Sequence, residues 1–251
     1  MNNNSRRNFL KSSILLTAAA GLPTIESATN RFNPSTYITD LKILFQGDSI
    51  TDGNRTRNND WNHLMGHGYQ YIISSKLWFE QPERKFHFIN RGVSGHKVPD
   101  LAARWQTDTL DIDPDVLSIL IGINDANEAV KDNPHYTTES YKEGYRDLLI
   151  RTKKDNSNIK FVICEPFLLP VGTIKDKWNR WHEEVSARQV VTKAIAQEFD
   201  AVFVPFQSAF DEALKKAPAD YWIWDGIHPM PAGHELMSRE WLKAVKKAKS
   251  F

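Results

Sequence analysis

Apolar and polar positions alternate along this chain in two distinct rhythms. Short, almost uninterrupted apolar runs recur at LKILF (41–45), FHFIN (86–90), DVLSILI (115–121), IKFVIC (159–164) and AVFVP (201–205). Runs of this length with no polar face predict strands covered on both sides. Between them the apolar residues return every three or four positions, in GYQYIISSKLWF (68–79), PDLAARWQTDTL (99–110), TTESYKEGYRDLLIRTKKD (137–155) and RWHEEVSARQVVTKAIAQEF (180–199). PAGHELMSREWLKAVKKA (231–248) closes the series. These read as amphipathic helices. Strand and helix taking turns five times predicts a doubly wound α/β sandwich on a five-stranded parallel sheet, because parallel crossovers are right-handed and cover both faces.

The first thirty residues break the rhythm. Arg6 and Arg7 precede the short apolar run ILLTAAAGL, and small and polar residues follow. That is the layout of a cleaved export signal, with cleavage expected either in the run Ala18–Ala20 or near Ala28. The paired arginines ahead of Phe9, Leu10 and Lys11 resemble a twin-arginine signal, which implies export of a folded protein across a bacterial inner membrane. The apolar run falls short of the roughly 20 residues a spanning helix needs, so no stable membrane anchor is expected after cleavage. Residues 1–30 are set apart, and 31–251 are expected to form one domain, periplasmic or secreted.

Composition narrows the function classes. The 251 residues are 41% hydrophobic and carry a formal net charge of +1, with both signs interspersed. Phosphate-backbone binding leaves a one-sided basic balance, so nucleic acid is not an expected partner. Cys164 is the single cysteine and lies in an apolar run, which excludes an intrachain disulfide and reads as a small buried hydrophobe. The histidines show no ligand spacing with a helical acid, so neither metal nor cofactor is assigned.

Ligands of an open parallel sheet bind beyond the carboxyl ends of its strands. After the first run comes GDSITDG, where Gly47 permits a turn and Ser49 opens a helix with its amide unpaired. After the second comes NRGVSGHK, where Gly92 and Gly95 let main-chain amides approach a ligand. After the third comes GIND, which brings the Asn124 carboxamide to the same rim. A serine hydroxyl attacks only when a base takes its proton and a carboxylate holds that base. WDGIHPMPAGH offers Asp225 and His228 on one loop, stiffened by Pro229 and Pro231. Asp48 and Asp125 read as acceptors that hold their loops, and His234 as a structural histidine of the last helix.

These blocks, in this order and spacing, resemble the SGNH (GDSL-like) hydrolase family from about residue 41 to 240, with GDSI in place of GDSL. The resemblance implies a flavodoxin-like three-layer fold. It also implies Ser49 as nucleophile, His228 as base and Asp225 as its orienting acid. Ser49, Gly95 and Asn124 are the implied oxyanion hole. The expected enzyme is a serine esterase similar to exported bacterial carbohydrate acetylesterases. Trp61, Trp178, Trp181, Trp222 and Trp224 offer flat faces for pyranose rings, and Glu165, just past the fourth strand, is placed either to line the substrate pocket or to make a structural hydrogen bond. Asn54, Arg55, Asn58, Asn59, Asp60 and Asn62 give the loop after the nucleophile a polar lining suited to hydroxyls. The expected substrate is an acetylated carbohydrate. A lipolytic acylhydrolase and a non-catalytic carbohydrate binder on the same fold are the alternatives, though a binder has no need to retain Ser49 and His228.

Overall fold

The computed structural model describes residues 41–58 and 62–249. Strand β1 (Lys42–Gly47) leads into the single turn of α1 (Ser49–Asp52), then α2 (Tyr69–Glu80) and β2 (His87–Asn90). Helix α3 (Val98–Trp105) precedes β3 (Val116–Leu120), α4 (Ile123–Val130) and α5 (Thr138–Asp155). After β4 (Lys160–Cys164) come α6 (Trp178–Glu198), β5 (Val202–Val204), α7 (Phe206–Ala213), α8 (Ala219–Trp222) and α9 (Pro231–Ala248). The sheet has five strands in the order β2-β1-β3-β4-β5, all parallel.

Side-chain alternation in the strands divides the core in two. Ile43, Phe45, Val116, Leu120 and Val162 face one layer, packed against Tyr69 and Ile73 of α2, Phe206 and Phe210 of α7, and Met237 and Trp241 of α9. Leu44, Leu117, Ile119 and Ile163 face the other, against Leu101 and Trp105 of α3, Tyr141, Tyr145 and Leu148 of α5, and Ile195 of α6. Each layer buries one tryptophan completely and gives its indole N–H an acceptor: Trp241 Nε1 donates to Ser118 Oγ (3.0 Å) and Trp105 Nε1 to Thr152 Oγ1 (3.0 Å). Truncating either to alanine costs about 3–5 kcal/mol in lost contact and residual cavity. Cys164 is free and fully buried, and burial pushes its thiol up to about 12.

Two departures from the expected elements have local causes. The helix expected over 99–110 runs as α-helix to Trp105 and continues as one widened π turn, Gln106–Leu110. There the buried Gln46 side chain of β1 donates to Asp108 O (2.7 Å) and Thr109 Oγ1 (2.8 Å), tying the turn to the sheet. The short helices α4, α7 and α8 carry no repeated apolar period in the sequence, and they lie at the carboxyl rim or lead into it. With β1 linked to β2 on one side and to β3 on the other, the strand order reverses at β1, where α/β sheets hold their ligands.

Candidate active site

Ser49 is the first residue of α1, directly beyond β1. The buried Asp48 side chain caps that turn, accepting from Ile50 N (3.0 Å). Burial pushes the Asp48 carboxyl up to about 7, against the pull of the Ile50 amide and of His228. As an opening helical residue Ser49 has no intrahelical partner for its amide. Gly95 sits in the turn beyond β2 at φ +81°, and a Cβ there would meet nothing within 4 Å, so the turn is open on that side. Among the described residues the N–H groups of Ser49 and Gly95 meet no acceptor.

Asn124 lies in the first turn of α4, beyond β3. Its Nδ2 donates to His96 O (3.1 Å), which leaves the second N–H of the amide for another acceptor. Gly92 is required for packing: a Cβ would come within 2.3 Å of Asp52 N. Asp125 accepts from Val98 N (3.1 Å), and burial raises it to about 6, so it holds α3 against α4.

The loop before α9 supplies the other two groups. Asp225 Oδ1 accepts from Ile227 N (2.9 Å) and His228 N (2.6 Å), closing an Asx-type turn that fixes the carboxylate from its own segment. Its Oδ2 lies 2.6 Å from His228 Nδ1, and His228 Nε2 lies 2.8 Å from Ser49 Oγ. Burial opposes ionisation of Asp225, but the His228 ring and the His228 and Ile227 amides outweigh it and lower the carboxyl below its usual range. The hydrogen bond that His228 donates to Asp225 raises the imidazole above its ordinary value, against the effect of burial. An ionised Asp225 accepts a hydrogen bond from Nδ1–H, which keeps the proton on that nitrogen and leaves Nε2 to accept from the Ser49 hydroxyl. Hydroxyl, imidazole and carboxylate thus stand in line, from residues 179 positions apart in the chain.

The proposed sugar-facing residues divide. Trp224 is exposed (58%) and stacks on His228 with ring centroids 6.2 Å apart and planes at 25°. Trp222 is half-buried, with Nε1 donating to Ala217 O (3.2 Å). Trp178 packs against His182 with the rings tilted at 43° (centroids 5.4 Å apart) and lines a 260 Å³ concavity with Leu168, Pro170, Gln189 and Asp211. Trp181 does not meet the expectation: it is buried against Ile123, Ala126 and Val185 and offers no face to a ligand. Glu165 is half-buried, and its Oε2 accepts from Gln207 N (3.0 Å) in the first turn of α7. Trp61, with Asn59 and Asp60, lies outside the described residues. No group of three or more metal-ligating side chains occurs among the described residues.

Comparison with known proteins decides the family. The model of the GDSL-like lipase/acylhydrolase family matches residues 45–236. The chain belongs to this family. It is 34% identical over 210 residues to an acetylxylan esterase from Geobacillus stearothermophilus, covering 81% of this chain and 93% of that protein. Among solved structures, a putative GDSL-like lipase from Parabacteroides merdae matches with a TM-score of 0.80 at 39% identity, over 84% of this chain and 97% of the other. An acetylxylan esterase from Geobacillus stearothermophilus matches with a TM-score of 0.72 at 32% identity, over 82% and 94%. Solved forms of that esterase include catalytic mutants at a serine and at an aspartate. As a GDSL-like acylhydrolase the chain is a carboxylic ester hydrolase on the expected five-stranded α/β sandwich. A twin-arginine translocation signal model matches residues 3–23, so this hydrolase is exported by that pathway, to the periplasm or beyond. No helix among the described residues is long and apolar enough to cross a membrane.

Proposed function

We propose that this hydrolase removes O-acetyl groups from carbohydrates, with Ser49, His228 and Asp225 as its triad and residues 31–251 as its single domain after the export signal is removed. The observation that carries the reading is the unbroken line from Ser49 Oγ through His228 to Asp225, 2.8 Å and 2.6 Å. His228 Nε2 takes the hydroxyl proton as Ser49 Oγ attacks the acetyl carbonyl, and Asp225 stabilises the imidazolium that forms. Negative charge on the carbonyl oxygen is met by the amides of Ser49 and Gly95 and by the Asn124 carboxamide, donors already in place before charge develops. His228 then returns the proton to the departing sugar hydroxyl, and water repeats the sequence on the acetyl-enzyme.

Two features support a sugar as the alcohol. The exposed indole of Trp224 lies against His228, where a pyranose ring would rest as its ester enters. The similarity to an acetylxylan esterase over most of both chains points to the same substrate class. Acetate release from acetylated xylan and xylo-oligosaccharides, measured beside hydrolysis of long-chain esters, tests the reading. Preferential acetate release is expected; a clear preference for long acyl chains would replace it with a lipolytic one.

A further inference from the structure

This inference rests on the oxyanion-hole reading above and concerns Asp52, which takes no part in the triad. Asp52 closes α1, three residues after Ser49, and is 3% exposed. Its carboxylate gathers donors from three directions. Arg57 approaches as a fork, Nη1 to Oδ1 (3.1 Å) and Nη2 to Oδ2 (2.7 Å). Arg55 N donates to Oδ1 (3.2 Å). Ser94 donates twice to Oδ2, from its backbone N (3.0 Å) and from Oγ (3.1 Å). Burial opposes the charge, yet Arg57 and Ser94 together hold the carboxyl below its ordinary value.

Ser94 is the residue before Gly95. The Gly95 N–H belongs to the peptide between them, and nothing packs within 4 Å of where a Gly95 Cβ would stand. The direction of that N–H is therefore set by what holds its neighbours. Val93 N donates to Gly47 O (3.0 Å), Gly92 N to Asn90 Oδ1 (2.9 Å), and Arg55 Nε to Gly92 O (3.0 Å). Beyond Gly92 and Val93 the next tie is the pair of bonds from Ser94 to Asp52. After Gly95, His96 N closes the turn on Val93 O (3.2 Å) and the Asn124 amide holds His96 O (3.1 Å), so the turn also abuts the third expected donor, while the bonds to Asp52 anchor it to the helix of Ser49. We propose that Asp52 is a positioning residue: by clamping both polar groups of Ser94 from the same short helix that carries Ser49, it aims the Gly95 amide at the oxyanion.

The test uses Asp52→Asn and Ser94→Ala in the full mature enzyme. In Asp52→Asn only one oxygen remains: turned to Arg55 N and Arg57 Nη1 it presents N–H groups to the Ser94 donors, and turned to Ser94 it presents them to Arg55 N and Arg57 while losing the charge, so the clamp weakens either way. With a small acetate ester, kcat is expected to fall about 30- to 100-fold with KM within about twofold, the signature of a lost transition-state interaction. Inhibition by a boronic acid, whose tetrahedral adduct places an oxygen in the same hole, is expected to weaken by the same factor as kcat. Ser94→Ala removes one of the two bonds and should lower kcat about three- to tenfold. Asn124→Ala is run in parallel. If it lowers kcat and folded Asp52→Asn does not, the positioning role is overturned while the oxyanion hole stands. If Asn124→Ala leaves kcat unchanged, the oxyanion-hole reading itself falls. Should Asp52→Asn fail to fold, Ser94→Ala decides alone, and unchanged kcat there overturns the proposal. A rise in KM that matches the fall in kcat/KM, with kcat intact, also overturns it.

Discussion

The amino and carboxyl ends of the same parallel strands are built to opposite rules. At the amino rim, polar groups are closed upon one another. Asp115 Oδ2 accepts from Lys42 N (2.8 Å), Lys42 O from Asp115 N (3.0 Å), and Asp115 O from Lys160 N (2.9 Å), which laces the starts of β1, β3 and β4 together. Lys42 Nζ donates to Ile112 O (3.1 Å), and Lys153 Nζ to Ile159 O (2.9 Å). At the carboxyl rim the amides of Ser49 and Gly95 meet no acceptor among the described residues, and two carboxyls, Asp48 and Asp125, stand above their ordinary values. Unpaired donors and shifted acids carry a cost, and a fold retains them where a ligand or a reaction completes them. Concavity alone does not make this distinction: a 680 Å³ groove between α2 and α9, lined by Leu77, Arg84, Trp241 and Lys246, contains none of the aligned groups.

The contrast breaks most sharply at Asp225. Asp225→Asn keeps the shape but lets the imidazole take the wrong tautomer, and kcat should fall about 10³- to 10⁴-fold. The same change moves the pH profile. With His228 as the proposed base, activity needs its neutral form, so the wild-type rate is expected to rise through a midpoint above the ordinary histidine value of 6.5. Without the Asp225 charge, burial remains as the opposing influence and the midpoint should move to lower pH. Asn124→Ala comes next, with kcat down about 10²- to 10³-fold at little change in KM. An effect confined to KM would assign Asn124 to substrate binding.

At Asp48 the difference between the rims extends to stability. Its folded value, about 7, lies above the ordinary 3.8. Its contribution to stability is therefore complete below about pH 4 and lost as pH rises towards and through 7. Asp48→Asn retains an oxygen for Ile50 N and removes the ionisation, so thermal unfolding should depend less on pH between 4 and 7, with a higher Tm at pH 8 than in the wild type. A parallel pair of pH–Tm curves would contradict this. The smallest effect is expected at the opposite rim, where Asp115→Ala should cost about 1 kcal/mol in denaturant unfolding and leave kcat unchanged.

Much of this was legible in the amino-acid order, for identifiable reasons. Buried strands announce themselves as apolar runs, and each of the five runs overlaps a strand of the sheet, with ends differing by at most two residues. GDSITDG, NRGVSG, GIND and DGIHP lie beyond strands because turns demand glycine there and chemistry demands the polar residues beside them. Short helices were not legible. INDANEAV in α4 has too few turns to show a period, and its position is fixed by packing against α6. Tryptophan faces were not legible either: Trp181 and Trp224 are equally aromatic in sequence, and only the fold buries one beside α4 and exposes the other on His228. The Asp52 clamp escaped notice because its partners lie at Arg57 and Ser94, and no local spacing relates the latter to a carboxylate 42 residues earlier.

On the proposed mechanism the Ser49 hydroxyl is the activated nucleophile. Treating the mature protein with a fluorophosphonate and locating the adduct by peptide mass spectrometry tests it directly. A single adduct on Ser49, slowed severely in His228→Ala and absent in Ser49→Ala, is the result expected. Labelling at another serine, or full labelling in Ser49→Ala, would contradict it.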